Sequence, residues 1–263
     1  MIQSKICATC GTHYSASVDY DLCPICADDR QYIPEGGQRW TTEAELLSRY
    51  SVRTHRLGEH IYELEIAPVF AIGQRAFLIL SPQGNILWDC IPLLNEPTVE
   101  FIKAHGGLRA IAFSHPHYYS NMNDWADTFD CPIYIHHRDE QWIFDKGPRV
   151  SLWEGSEKAL WDGMRLINVG GHFPGSSILH VPALSPEGTV FSGDTLVIAP
   201  NKQHIAVMYS YPNRMPLPRN EVQRIRQQVE ALQFDALYSF MRDLNLTENV
   251  KEIFNASMER YLS

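Results

Sequence analysis

From His60 onward the chain is built of short apolar blocks separated by turn residues. His60–Ile66, Arg75–Leu80 and Gly84–Asp89 predict strands, with the run from Ser81 to Asn85 turning the chain between the last two. Glu96–His105 has helical spacing and is broken by Gly106 and Gly107, whereas the largely apolar Leu108–Phe113 predicts a buried strand. Pro132–His136 predicts a strand, followed by a short helix near Arg138–Phe144. Arg165–Val169, Ser177–Val181 and Thr189–Ser192 predict three more strands. Glu221–Leu232 reads as helix, Ala236–Phe240 as strand and Thr247–Tyr261 as helix. Strands dominate first and then alternate with helices, the order expected of a layered α/β or α+β sandwich.

Ahead of these blocks the pattern is different. Residues 27–40 are polar and contain Pro34, Gly36 and Gly37, as a linker would, and Thr42–Glu45 forms a capping box opening a helix through about Tyr50. The first forty residues are organised by cysteines instead: Cys7-x2-Cys10, twelve residues, then Cys23-x2-Cys26. Two such knuckles bring four thiolates to tetrahedral reach of one structural Zn²⁺, which would supply the stability that so short a segment cannot draw from a core. Rubredoxin-type iron uses the same ligands, and His13 is an alternative ligand to one cysteine. The expected organisation is a four-cysteine, zinc-ribbon-like module with its linker over residues 1–40 and one large domain over 41–263.

Composition narrows the classes. A 263-residue chain with 44% hydrophobic residues can bury a substantial core, and a net charge of −9 disfavours nucleic acid as a partner. The start, "MIQSKICATC", lacks a basic stretch followed by an apolar block, and no apolar run reaches the ~20 residues of a membrane span. The expected compartment is the cytoplasm, where thiols stay reduced, and the expected partner is a small molecule. Self-association is left open. Cys90 and Cys131 read as buried thiols, and no G-x-S-x-G, G-x-G-x-x-G or G-x-x-x-x-G-K motif is present.

Candidate chemistry lies just past the predicted strands, where a rigid scaffold hands the chain to a loop. The residues are His115 and His117 in "SHPHYYSN", His172 in "GGHFPGSS" and Asp194 in "FSGDTL". In this order they resemble the metallo-β-lactamase-fold superfamily, which includes β-lactamases, glyoxalase II, lactonases, persulfide dioxygenases and ribonucleases. The resemblance spans roughly residues 52 to 263, with its motifs confined to short loops. It implies an αββα sandwich in which His115, His117 and His172 hold one metal with Asp194, while Asp89 in "ILWDC" braces the histidine loop. The family's H-x-H-x-D-H loop continues with an aspartate and a histidine where this chain has Tyr119 and Ser120. No histidine follows His204, and the strand end where the family's last ligand would stand offers Ser239 and Phe240. These departures all fall on the second metal, so one active-site metal is expected.

A three-imidazole Zn²⁺ keeps an open position and can lower the pKa of a water there to about 7. The leading expectation is therefore hydrolysis of an ester, thioester, lactone or related amide. Asp194 would serve as fourth ligand or base, and Tyr119 as donor to the developing oxyanion or as packing. Two alternatives stand beside it. One is a mononuclear non-haem Fe²⁺ dioxygenase of persulfide-dioxygenase type, using two histidines and a carboxylate. The other is a non-catalytic binding protein on the same fold. His137, His204 and Tyr209 are candidates to line the substrate pocket, with Tyr211 and Arg214 near them.

Overall fold

The computed structural model describes residues 4–263; Met1–Gln3, part of the stretch read as lacking a signal peptide, lie outside it. Two sheets face each other. The first has seven strands in the order Val150–Trp153, Ile133–His136, Ala110–Ala112, Ile86–Trp88, Arg75–Ile79, Ile61–Ala67, Ser51–Arg56. Its first four strands pair in parallel and the rest antiparallel. The second has six strands: Glu157–Ala159, Arg165–Asn168, Ser177–Val181, Thr189–Gly193, Ala236–Ser239 and Asn245–Leu246. Only the Thr189–Gly193 pairing with Ala236–Ser239 is parallel.

Side-chain alternation along these strands builds three apolar layers. Phe77, Ile79, Ile86 and Trp88 point inward to meet Leu166, Leu179, Phe191 and Tyr238 of the opposite sheet. Their alternating neighbours Ala76, Leu78 and Leu87 point outward to helices α1 (Glu43–Arg49), α2 (Glu96–Ala104) and α3 (Met122–Phe129), through Leu46, Ile102 and Trp125. On the far side, α4 (Arg219–Glu230) and α5 (Val250–Leu262) cover the second sheet with Val222, Ile225, Phe254 and Met258. The result is the expected αββα sandwich. Thr42 caps α1 by accepting from the Glu45 amide, while the Glu45 carboxylate accepts from Thr41 Oγ1 instead of closing the box.

The pattern reading omitted the strands at the sheet edges. Ser51–Arg56 is mostly exposed and Glu157–Ala159 is polar, so neither carries the apolar signature of a buried strand. The helix expected near Arg138–Phe144 is a 3₁₀ segment, His137–Trp142. In the N-terminal module Lys5–Cys7 pairs with His13–Tyr14 and with Trp40–Thr41. The polar residues 27–40 do not simply span a gap: Arg30 and Gln31 are buried.

Candidate metal centres

Cys7, Cys10, Cys23 and Cys26 converge, all buried and unoxidised. Cys7 Sγ lies 3.7 Å from Cys26 Sγ and Cys10 Sγ 3.6 Å from Cys23 Sγ. Disulfide sulfurs would be ~2.0 Å apart, whereas tetrahedral thiolates around zinc sit roughly 3.8 Å apart. The donor set and spacing therefore fit a metal. Gln38 Nε2 donates to Cys7 Sγ at 3.2 Å, and the Tyr14 hydroxyl lies 3.0 Å from Cys23 Sγ. His13 belongs elsewhere: its Nε2 donates to the Pro92 carbonyl, tying the module to the large domain.

The second cluster forms where three strands end on one side of the sandwich. The chain leaves Ala110–Ala112 through Ser114 and extended His115, then Pro116 starts a single 3₁₀ turn that presents His117. His172 comes from the loop between Arg165–Asn168 and Ser177–Val181, and Asp194 follows Thr189–Gly193. Close approach explains two glycines. Gly171, at φ +85°, runs against α4, where a Cβ would stand 2.7 Å from Ile225 Cδ1. Gly193, at φ +51°, lets Ser114 come so near that a Cβ would lie 2.3 Å from its hydroxyl oxygen.

One ring nitrogen is committed on two of these histidines. Asp89 accepts from the Ser114 amide at 2.7 Å and from its hydroxyl at 2.9 Å, and that hydroxyl lies 2.9 Å from His115 Nδ1. With the serine proton spent on the carboxylate, His115 Nδ1 must donate to Ser114, leaving Nε2 with its lone pair. His172 Nδ1 donates to the Tyr209 carbonyl at 2.8 Å, with the same consequence. Among the described residues, His115 Nε2, His117 Nε2 and His172 Nε2 are buried with no hydrogen-bond partner. Asp194 Oδ2 lies 3.6 Å from His115 Nε2 and 3.7 Å from His172 Nε2, and all four ligand atoms fall within 4.8 Å of one another. Burial holds all three imidazoles neutral, bringing His172 down to about 4 and the other two well below their usual range. It also raises Asp194 to about 7 against the pull of the Tyr118 hydroxyl. Orphaned lone pairs facing one carboxylate are what a divalent cation needs, and these residues fit one.

Several groups near the cluster escaped the sequence reading. The hydroxyl that reaches Asp194 belongs to Tyr118, at 2.5 Å from Oδ1, and not to Tyr119. Tyr119 packs its ring edge-on against Phe113, 5.1 Å between centroids, and makes no hydrogen bond to the cluster among the described residues. Asp139 accepts from the Gly175 amide at 2.6 Å and secures the His172 loop. Nothing in the spacing of these residues marks them, because each acts across a long sequence separation.

Asp89, at φ +62°, turns its carboxylate onto Ser114. Ser120 Oγ accepts from Gln74 Nε2. At the strand end where the last histidine was sought, the Ser239 carbonyl accepts from Arg75, itself paired with Glu63. Of the pocket candidates, Tyr209 adjoins the site through its carbonyl, while its ring lies against the Arg30 guanidinium. His137 is half-buried beside His136, and exposed His204 lines a separate cavity with Ser257, Arg260 and Tyr261.

No protein-family model matches the chain. The uncharacterized protein YmaE of Bacillus subtilis (strain 168) is 38% identical over 261 residues, covering 98% of this chain and 95% of its own length. Among solved structures, the metallo-β-lactamase FIM-1 from Pseudomonas aeruginosa in its mono-zinc form aligns with a TM-score of 0.57 at 11% identity. That alignment covers 80% of this chain and 95% of FIM-1. TTHA1623 in a di-iron-bound form aligns with a TM-score of 0.51 at 18% identity, over 67% of this chain and 90% of its own. The metallo-β-lactamase fold expected from the loop motifs is thus borne out. No described helix is long and apolar enough to cross a membrane.

Proposed function

The chain belongs to the family of Bacillus subtilis YmaE and has the metallo-β-lactamase fold, and on that premise we propose that it is a metal-dependent hydrolase acting through a single ion. The observation that carries this reading is the convergence of three bare, buried Nε2 atoms on Asp194 Oδ2. A divalent ion bound by these residues would supply Lewis-acid polarisation of a carbonyl and lower the pKa of a water.

The chain's own groups divide the remaining work. Ser114 and the Tyr209 carbonyl hold the His115 and His172 rings so that each offers its Nε2. Tyr118 occupies Asp194 Oδ1, which leaves Oδ2 to face the imidazoles and to take up a proton from an attacking water. Phe173 packs against His117 and Tyr211 against His172, and these apolar walls exclude bulk water and suit a small acyl substrate. The substrate class is an ester, thioester or lactone. Support for one ion comes from Tyr119, Ser120 and Ser239, none of which supplies a histidine or carboxylate to a second.

Protein purified without added metal is expected to carry two ions per chain, one at each cluster. It should hydrolyse members of an ester, thioester and lactone panel. His115→Ala and His172→Ala should abolish turnover and remove one ion while the thiolate-bound ion remains. An occupied histidine site with no turnover across the panel rejects hydrolysis. A second reading has one observation in its favour: the similarly folded TTHA1623 was solved with iron, and His172, Asp194 and either His115 or His117 make a two-histidine, one-carboxylate set. Iron in the native protein, with oxygen uptake on thiol or persulfide substrates, would decide for it.

A further inference from the structure

We propose that Arg30 is a positioning residue for the histidine site, and that through it the four-cysteine module governs how tightly that site holds its ion. The inference rests on the reading of His115, His117 and His172, with Asp194 facing them, as the metal site. Arg30 follows the last cysteine by four residues, yet its side chain is buried against the large domain. A buried guanidinium is costly unless its donors and charge are matched, and here the charge and the Nε and Nη1 donors are. Nη1 donates to both Asp28 oxygens at 2.9 and 3.0 Å, and Nε donates to the His172 carbonyl at 2.5 Å. The guanidinium lies 4.3 Å from the ring centres of both Phe173 and Tyr209.

His172 is thereby held at two points. Its ring donates to the Tyr209 carbonyl, and its own carbonyl receives Arg30. The main chain around Arg30 is fastened to the same loop: Ser210 Oγ donates to the Arg30 carbonyl, and Asn213 Nδ2 donates to the carbonyls of Asp29 and Gln31. Toward the module, the Ala27 amide donates to the Cys23 carbonyl and the Gln31 amide to the Asp28 carbonyl, so only a short, bonded tether separates thiolates from guanidinium. Asp28 offsets part of the positive charge that would otherwise repel a cation. What Arg30 contributes is direction, which needs a planar fork that lysine lacks.

Cobalt(II) reads both sites in the intact protein, the thiolate site by intense sulfur charge-transfer absorption and the histidine site by weaker d–d bands. Chelator competition then gives the affinity of the histidine site alone. Arg30→Gln is expected to lower that affinity about 10- to 100-fold, the range found when groups bracing metal ligands are removed, with the charge-transfer band unchanged as an internal check on folding. Arg30→Lys should behave like Arg30→Gln, and Cys26→Ser should weaken the histidine site as well. Should Arg30→Gln fail to fold, Asp28→Asn tests the same link by freeing the guanidinium, with a smaller loss expected. Histidine-site affinities within twofold of wild type in the folded Arg30 or Asp28 variant and in Cys26→Ser overturn the proposal. So does a lowered melting temperature with an unaltered histidine-site spectrum, which would make Arg30 structural only. Failure of the wild type to take cobalt at the histidines overturns the metal reading together with this one.

Discussion

A buried histidine is open to a metal when a ring nitrogen is left bare, and it is held in place for one when the other nitrogen is committed. That condition separates His115 and His172 from His136 and His180, in which both ring nitrogens are engaged, with the Gly155 carbonyl and Arg138 amide and with the Gln233 carbonyl and Arg165 guanidinium. The sequence marks all four alike, as histidines in or just beyond strands, and only the "H-x-H" and "GH-x-P-G" contexts distinguish the ligands. Ser114 is the residue no motif announced. It links Asp89 to His115, and only Gly193 leaves room for it. Ser114→Ala should leave the fold intact and lower zinc affinity at the histidine site about 10- to 100-fold by chelator competition. Alternating contacts in a tight 3₁₀ turn send Tyr118 to Asp194 and Tyr119 to Phe113, a distinction of turn geometry that residue identity does not carry.

Among elements, the central strands were legible and the edges were not. Arg75–Ile79 and Ser177–Val181 are buried along their whole length and match their apolar runs. Ser51–Arg56 pairs over six residues with Ile61–Ala67, yet its hydrogen bonds involve the backbone, which leaves no trace in side-chain pattern. Helix ends shifted by a residue or more: α5 begins at Val250 after Asn249 at φ +52°, not at Thr247. The contact between α4 and the His172 loop carries a prediction. Gly171→Ala introduces a Cβ at a left-handed φ and into the side of Ile225. We expect a loss of about 1–3 kcal/mol in denaturant unfolding, together with weaker metal binding, because the displaced loop carries His172.

At the scale of the whole molecule, each buried titratable group gives stability its own dependence on acid. Burial lowers both His13 and His172 from 6.5 to about 4, so the unfolded chain binds protons that the folded one refuses. The contribution of these two groups is then complete above pH 6.5 and is lost as pH drops toward 4, by roughly 3 kcal/mol each in the metal-free protein. Asp139 and Asp194, both raised to about 7 by burial, act in the opposite sense over that range. Urea titrations at successive pH values measure the net slope, and His13→Gln should raise stability near pH 4 relative to pH 7 by removing the His13 part of it.

The four cysteines lie within twenty residues of one another, whereas the histidine cluster draws on chain from His115 to Asp194. Closing a short loop costs little entropy and a long one more. During synthesis, the N-terminal knuckles can take up their ion while most of the polypeptide is still unmade. The other centre must wait until both sheets exist and have docked. If both proposed centres are filled, assembly has an order, in which the early metal would ready the arm that later steadies the late one.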